Sequence, residues 1–332
     1  MGRPGSARMN ILIVKLSSLG DVVHAMPALQ DIRRALPQAR IDWVVERGFA
    51  PLVRRCEGVA RVVECELRRW RKAPLSTATR TEWRAFRADL QAQAYDAVID
   101  LQGLTKSALV ARMARLAPGG KRYALANRTE GSSYEAPTRW VADVAVPAPP
   151  RSHAVQRSRA LCAAALGYAV PQALLHGLAA GTSTPGAAAR PSVALVHGSS
   201  RADKCWPEVH WIDLGHRLLA QGRAIALPHG SDEEQQRSER LAAALGPAAE
   251  VWPRLDLGAL TDRLAGCSGV IGVDSGLSHI AVALGLPHVQ LYNFDTAWRT
   301  GPAQPHQLAL YALPVPTPDA VWRAWLQAKA AA

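Results

Sequence analysis

The chain of 332 residues has five cysteines (Cys56, Cys65, Cys162, Cys205, Cys267), an odd number, and no C-x-x-C pair. A disulfide framework and a thiolate zinc site are therefore not expected, and free thiols in a reducing compartment are. The ten histidines show no H-E-x-x-H spacing, so no metal site is expected. G-x-G-x-x-G is absent after the first strand and after Val196, against a nicotinamide or flavin enzyme. A P-loop and a G-x-S-x-G elbow are absent too. No apolar run nears the ~18 residues of a spanning helix, and no signal peptide is visible. The expected location is cytosolic, with any membrane contact peripheral. The usual nucleic-acid-binding signatures are also missing.

What is present is a normal globular balance, 48 % hydrophobic and 20 % charged residues, enough to bury a full core. The length favours two domains. Lys+Arg 39 against Asp+Glu 27 gives a net charge of +12. That attracts nucleic acid, anionic membranes and phosphorylated substrates alike. Residues 1–8 are rich in Gly, Pro and Arg and read as a disordered extension, with Met9 a candidate start. From there strands and helices alternate. Strands are expected at 10–15, 41–45, 62–63, 97–99, 121–125 and 141–146. An apolar stripe of Val22, Val23, Met26, Leu29, Ile32 and Leu36 marks the first helix; others are expected at 80–93, 104–116 and 154–166. Residues 172–191 read as a linker. A second series follows, with strands at 192–197, 223–227, 250–252, 270–273 and 288–292. Its helices are expected at 207–220, 232–245, 257–265, 277–284 and 319–330. Alternation of this kind argues two α/β domains, each with a doubly wound parallel sheet. Ligands of such sheets sit beyond the carboxyl ends of the strands.

Residues 269–279 concentrate the polar groups. An apolar strand turns through Asp274, Ser275 and Gly276 into a helix carrying His279, which suits an anion or a plain capped turn. The loop 198–207 offers Ser199, Ser200 and Lys204, suited to a diphosphate or simply solvated. The loop 228–234 is acidic at a helix start, for capping or for ribose hydroxyls. Together they look like a nucleotide-diphosphate site. Near the chain start, Ser17, Ser18 and Gly20 lead to Asp21, which is either a dipole partner or a general base. Arg68, Arg69, Trp70, Arg71 and Lys72 form the densest basic run, either a solvated loop or a contact for a phosphorylated or carboxylated acceptor at a membrane.

In these residues, with 13–24, 43–46, 95–104, 197–208 and 273–279 in order, the chain resembles the lipopolysaccharide heptosyltransferases of glycosyltransferase family 9. The resemblance implies the GT-B architecture, two Rossmann-like domains facing across a cleft. An acceptor domain would span 9–171 and a nucleotide-sugar domain 192–316, with 317–332 packing back on the first domain. It implies inverting transfer from ADP-L-glycero-β-D-manno-heptose to the inner Kdo of Kdo2-lipid A, by a monomer on the cytoplasmic face of the inner membrane. No metal, cofactor or nucleic acid is required. Asp21 would be the base. Ser199, Ser200, Lys204, Glu234, Leu255, Asp274, Ser275, Gly276 and His279 would bind the donor, with Glu234 on the ribose. Ser17, Ser18, Gly20, Arg68, Arg69, Arg71, Lys72 and Arg128 would meet the acceptor. Ser275 and Ser199-Ser200 stand where relatives often carry Thr, and 292–299 lacks an expected Gly/Pro-rich loop. Two alternatives differ in ligand: an acceptor that is already heptosylated, or a basic, nucleotide-responsive nucleic-acid-binding protein.

Overall fold

The computed structural model describes residues 8–181 and 191–332, so the expected extension, apart from Arg8, and residues 182–190 of the expected linker lie outside the described residues. The chain divides into two compact units, Met1–Gly177 and Leu178–Ala332.

The first unit holds β1 (Asn10–Val14), β2 (Arg40–Glu46), β3 (Val59–Cys65), β4 (Ala94–Asp100), β5 (Arg115–Leu125) and β6 (Val144–Val146). They form one six-stranded sheet in the order β3-β2-β1-β4-β5-β6, with parallel pairing throughout. Ile11, Leu12, Ile13 and Val14 are fully buried, as a strand covered on both faces requires. The helix Leu19–Ala35 buries Val22, Val23, Met26, Leu29 and Ile32. Its Asp31 accepts two bonds from Arg159 of the helix Ala154–Leu166, at 2.6 and 3.1 Å. Arg159 also donates to the carbonyls of Pro171 and Ala173. A buried ion pair of this kind is costly to break from one side, because it strands a charge.

The second unit holds β7 (Ser192–Val196), β8 (Ala224–Leu227), β9 (Ala249–Val251), β10 (Gly269–Val273), β11 (His288–Tyr292) and β12 (Gln307–Tyr311). Its order is β12-β11-β10-β7-β8-β9, again parallel. Both glycines of β10 allow close approach. A Cβ on Gly269 would lie 2.5 Å from Trp325, and one on Gly272 would lie 2.4 Å from Ser278 Oγ.

The expected α/β class holds, and several boundaries move. The strand expected at 141–146 shrinks to β6 because Pro137 opens a short helix, Pro137–Val141. Pro207 caps the helix Glu208–Ala220 and does not sit within it. β12 was not expected, nor was the helical turn Leu67–Trp70 inside the basic run. The terminal helix Pro318–Ala330 was expected to pack on the first domain. Its Val321, Trp325 and Ala328 join the core of the second unit, with Val193, Ile271 and Val289. The reason is the apolar stripe at helical spacing, which fits the face that Gly269 leaves open.

Candidate active site

Each strand order reverses at its centre, between β1 and β4 in the first unit and between β10 and β7 in the second. Such switch points open a crevice beyond the strand ends.

In the second unit, β10 leads into Asp274, whose carboxylate is 8 % exposed. Lys204 approaches its Oδ2 at 2.5 Å. His279 Nε2 lies 3.4 Å from Oδ1, and Gln290 donates its amide to Oδ1 at 3.2 Å. Burial pushes the Asp274 carboxyl up. The hydrogen bonds and charges of His279 and Lys204 more than reverse this and hold it well below the usual carboxylate range. Ser199 donates to the Asp274 carbonyl at 3.5 Å. Ser275 caps the helix Gly276–Ala283, and its Oγ is buried with no partner among the described residues. The first N–H groups of that helix have no partner within it and point to the same end. Ser278 folds back to donate to the Val273 carbonyl at 2.6 Å, fixing the turn.

Glu234 sits at the neighbouring strand end. Its Oε2 accepts from Gly230 N at 2.7 Å, and its Oε1 lies 2.3 Å from where a Cβ on Gly198 would stand. Glycine at 198 is thus what gives Glu234 its place. Ser200 is exposed. Leu255 is half-buried after β9 and takes no part in the hydrogen bonds of the Asp274 cluster.

In the first unit, Ser18 precedes the helix Leu19–Ala35, and Asp21 lies in its first turn. Asp21 Oδ2 accepts from Ser18 N at 3.0 Å and from Ser18 Oγ at 2.9 Å. Its Oδ1 lies 3.8 Å from Lys15 Nζ, and the side chain is 38 % exposed. Burial raises the Asp21 pKa, while the Lys15 charge and the two Ser18 bonds lower it, and the net shift is downward. Burial lowers the Lys15 ammonium, with Asp21 opposing. Lys15 also donates to the Leu101 carbonyl at 2.9 Å. Gln102 Oε1 accepts from both Leu16 N and Ser17 N at 3.1 Å, and Lys106 donates to Ser17 Oγ at 3.1 Å. Asp100, at the end of β4, accepts from Gln102 N, Gly103 N and Ser107 Oγ. It shapes the loop that braces residues 16 and 17.

The basic run is not uniform. Arg69 is engaged by two carboxylates, Glu66 at 2.6 Å and Glu82. Trp70 is buried and donates to Glu82 at 2.8 Å. Arg68, Arg71 and Lys72 are exposed. Arg128 is exposed in the loop after β5.

The structure thus gathers Ser199, Lys204, Asp274, Ser275 and His279 into one cluster and sets Glu234 beside Gly198 and Gly230. Ser17, Ser18 and Asp21 form a second cluster around Lys15 and Gln102. Sequence reasoning missed Lys15, Asp100, Gln102, Lys106 and Gln290. Polar residues inside or ending apolar runs, such as Asp100 after Ala-Val-Ile, are the available signal.

A cation, a buried hydroxyl without a partner among the described residues and a helix start at the switch point of a doubly wound unit are the groups a site for a phosphate-bearing ligand needs. With two such α/β units, the architecture is that of the GT-B glycosyltransferases. The model of Glycosyltransferase family 9 (heptosyltransferase) matches residues 83–321, and the chain belongs to this family. It is 40 % identical over 303 residues to lipopolysaccharide heptosyltransferase 1 of Pseudomonas aeruginosa, covering 88 % of this chain and 81 % of that one. It is 41 % identical over 291 residues to lipopolysaccharide heptosyltransferase 1 of Escherichia coli K12, covering 86 % and 88 %. The solved structure of E. coli heptosyltransferase WaaC with ADP superposes with a TM-score of 0.86 at 35 % identity, covering 96 % of this chain and 100 % of that one.

Proposed function

We propose that the protein transfers L-glycero-D-manno-heptose from ADP-heptose to the inner Kdo of Kdo2-lipid A, inverting the sugar carbon, in lipopolysaccharide inner-core synthesis. The acceptor hydroxyl oxygen bonds to the anomeric carbon and gives its proton to Asp21. The bond from that carbon to the β-phosphate oxygen breaks, and ADP leaves with the electron pair. The observation that carries this reading is the cluster at the β10–β7 switch point, Lys204 held by Asp274 beside the Ser275 hydroxyl, which has no partner among the described residues. Lys204, Ser199, Ser200, Ser275 and the Gly276 N–H meet the diphosphate, Glu234 the ribose, and Leu255 the nucleotide. Asp274 stays off the phosphates, since two anions side by side repel; it acts by orienting Lys204 and His279.

Asp21 has the features of a base. It is ionised at neutral pH, as an ordinary aspartate is, and the downward shift extends this to lower pH. Its Oδ2 is occupied by Ser18, so Oδ1 is the oxygen that takes the proton. The reading requires no metal or cofactor, because Lys204 and the helix N–H groups supply the charge stabilisation a divalent cation would give. Arg68, Arg71, Lys72 and Arg128 suit the carboxylates and phosphates of the acceptor, and Ser17, Ser18 and Gly20 its hydroxyl. Arg69 is the weakest of these candidates, being neutralised by Glu66 and Glu82. The protein works at the cytoplasmic face of the inner membrane as a peripheral enzyme. Its charge of +12 suits an anionic surface, and among the described residues no helix is long and apolar enough to cross a membrane.

The test is radiolabel transfer from ADP-heptose to Kdo2-lipid A, beside an already heptosylated core as second acceptor. Transfer to Kdo2-lipid A is expected, with a loss of about 10² to 10⁴-fold in kcat for Asp21→Ala, the range for removing a general base. Transfer only to the heptosylated core would overturn the acceptor. Full activity of Asp21→Ala would overturn the base.

A further inference from the structure

Between the helical turn Leu67–Trp70 and the helix Thr77–Gln91 lies a pocket of about 430 Å³. Leu67, Trp70, Pro74 and Trp83 give it an apolar floor, and Arg71, Arg80 and Arg84 line it with cations. The floor is rigid. Trp70 and Trp83 meet edge to face at 5.6 Å, and Phe86 backs both. The basic residues fall into two classes. Arg69 is held by Glu66 and Glu82, which neutralise its charge. Arg71, Arg80 and Arg84 are exposed, and no ion pair to a described carboxylate engages any of them. Next to Pro74 in the chain, Leu75 is 77 % exposed, and Arg71, Lys72 and Arg80 lie within five residues of it in sequence.

We infer that this pocket is a binding site for an anionic phospholipid of the membrane, with Arg80 and Arg84 given to it alone and Arg71 shared with the glycosyl acceptor. The inference rests on the membrane placement proposed above. The volume suits a headgroup phosphate and the first methylenes of its chains, within the usual range of small-ligand pockets. The arginines take the phosphate, Trp83 and Leu67 the methylenes, and Leu75 enters the interfacial layer. Cations around an apolar residue are how peripheral proteins bind at the headgroup boundary. Arginine suits the task, since its planar fork pairs with phosphate oxygens. Nucleic acid fits poorly, because the aromatic rings are packed among themselves and are not free to stack bases.

The experiment is co-sedimentation of the full chain with phosphatidylcholine vesicles, with and without phosphatidylglycerol. The variants are the triple Arg71→Ala/Arg80→Ala/Arg84→Ala and the single Leu75→Glu. Thermal melting checks that they fold, which exposed, unpaired positions allow. The wild type is expected to bind only the anionic vesicles. Each cation removed weakens partition roughly five-fold, so the triple variant falls on the order of 10²-fold. Leu75→Glu also weakens partition, and free inorganic phosphate does not compete. Anionic-vesicle binding unchanged in the triple variant would overturn the pocket while leaving the membrane placement standing. A wild type that ignores both vesicles would overturn the placement itself. Release by millimolar free phosphate would show a plain anion site and overturn the lipid assignment.

Discussion

Asp21, in the helix after β1, and Asp100, the last residue of the neighbouring β4, are pushed in opposite directions by their surroundings. Asp21 is partly open and is lowered by Lys15 and Ser18 against its burial. Asp100 is fully enclosed, and burial raises it to about 6 in spite of bonds from Gln102 N, Ser107 Oγ and Gly103 N. Burial opposes the lowering, and the Lys15 charge is the largest of the effects that produce it. Lys15→Met should therefore raise the Asp21 pKa and shift the acid limb of kcat/KM to higher pH. An unmoved limb would sink that role for Lys15. For Asp100 the sign runs the other way. Its folded pKa lies above the unfolded value, so the folded state binds more protons between roughly pH 4 and 6, and stability from this group falls as pH rises through that window. A rise of about two units corresponds to at most ~3 kcal/mol. Asp100→Asn removes the titration. Its stability relative to wild type, from urea unfolding, should rise by up to that amount from pH 4 to pH 6 and stay level above. The substitution is tolerable because Ser107 Oγ already has a second acceptor, the Leu104 carbonyl at 2.7 Å.

At the level of elements, the site depends on how closely the helix Gly276–Ala283 approaches β10 and β7. A Cβ on Gly272 would lie 2.4 Å from Ser278 Oγ and 2.8 Å from Val196 Cβ. Neither neighbour yields easily: Ser278 is bonded to the Val273 carbonyl, and the Val196 Cβ is fixed to the backbone of β7. Gly272→Ala should cost roughly 1–3 kcal/mol of overpacking strain. By displacing the helix start it should also weaken ADP binding in calorimetry. Wild-type ADP affinity would show that the helix start does not hold the phosphates. β10 and its turn were legible because an apolar run meets Asp, Ser and Gly, and β1 with Ser17–Asp21 for the same reason. β12 was not legible. It is an edge strand with alternating exposure, after a stretch containing Pro302 and Pro305 that reads as loop. Lys15 and Gln102 were hidden for another reason. Their bonds join residues 86 positions apart, so only the pairing of β1 with β4 brings them together. Gln290 lies inside a buried strand, where a lone amide gives no hint of the carboxylate it serves.

Taken as a whole, the molecule keeps a separate sheet in each unit, and the cores can be perturbed separately. The second unit relies on its last helix. Trp325 is 1 % exposed, packs against Gly269 of β10, and shares a core with Trp211, Val193 and Ile271. Trp325→Ala removes a large buried ring from the strand that leads into Asp274 and should cost about 3–5 kcal/mol. Calorimetry distinguishes the units if ADP is present in excess. A ligand that binds only the folded form stabilises by a logarithmic amount, about 2.7 kcal/mol at 100 times its Kd. ADP should therefore raise the unfolding temperature of the second unit, and Trp325→Ala should lower that same transition. Leu90→Ala, on the buried face of the helix Thr77–Gln91, should lower the transition that ADP does not move. If both substitutions lowered one shared transition equally, the units would unfold as one body. If ADP raised the transition sensitive to Leu90→Ala and not the one sensitive to Trp325→Ala, the nucleotide site would belong to the first unit and the assignment of Lys204, Asp274 and Ser275 would fall.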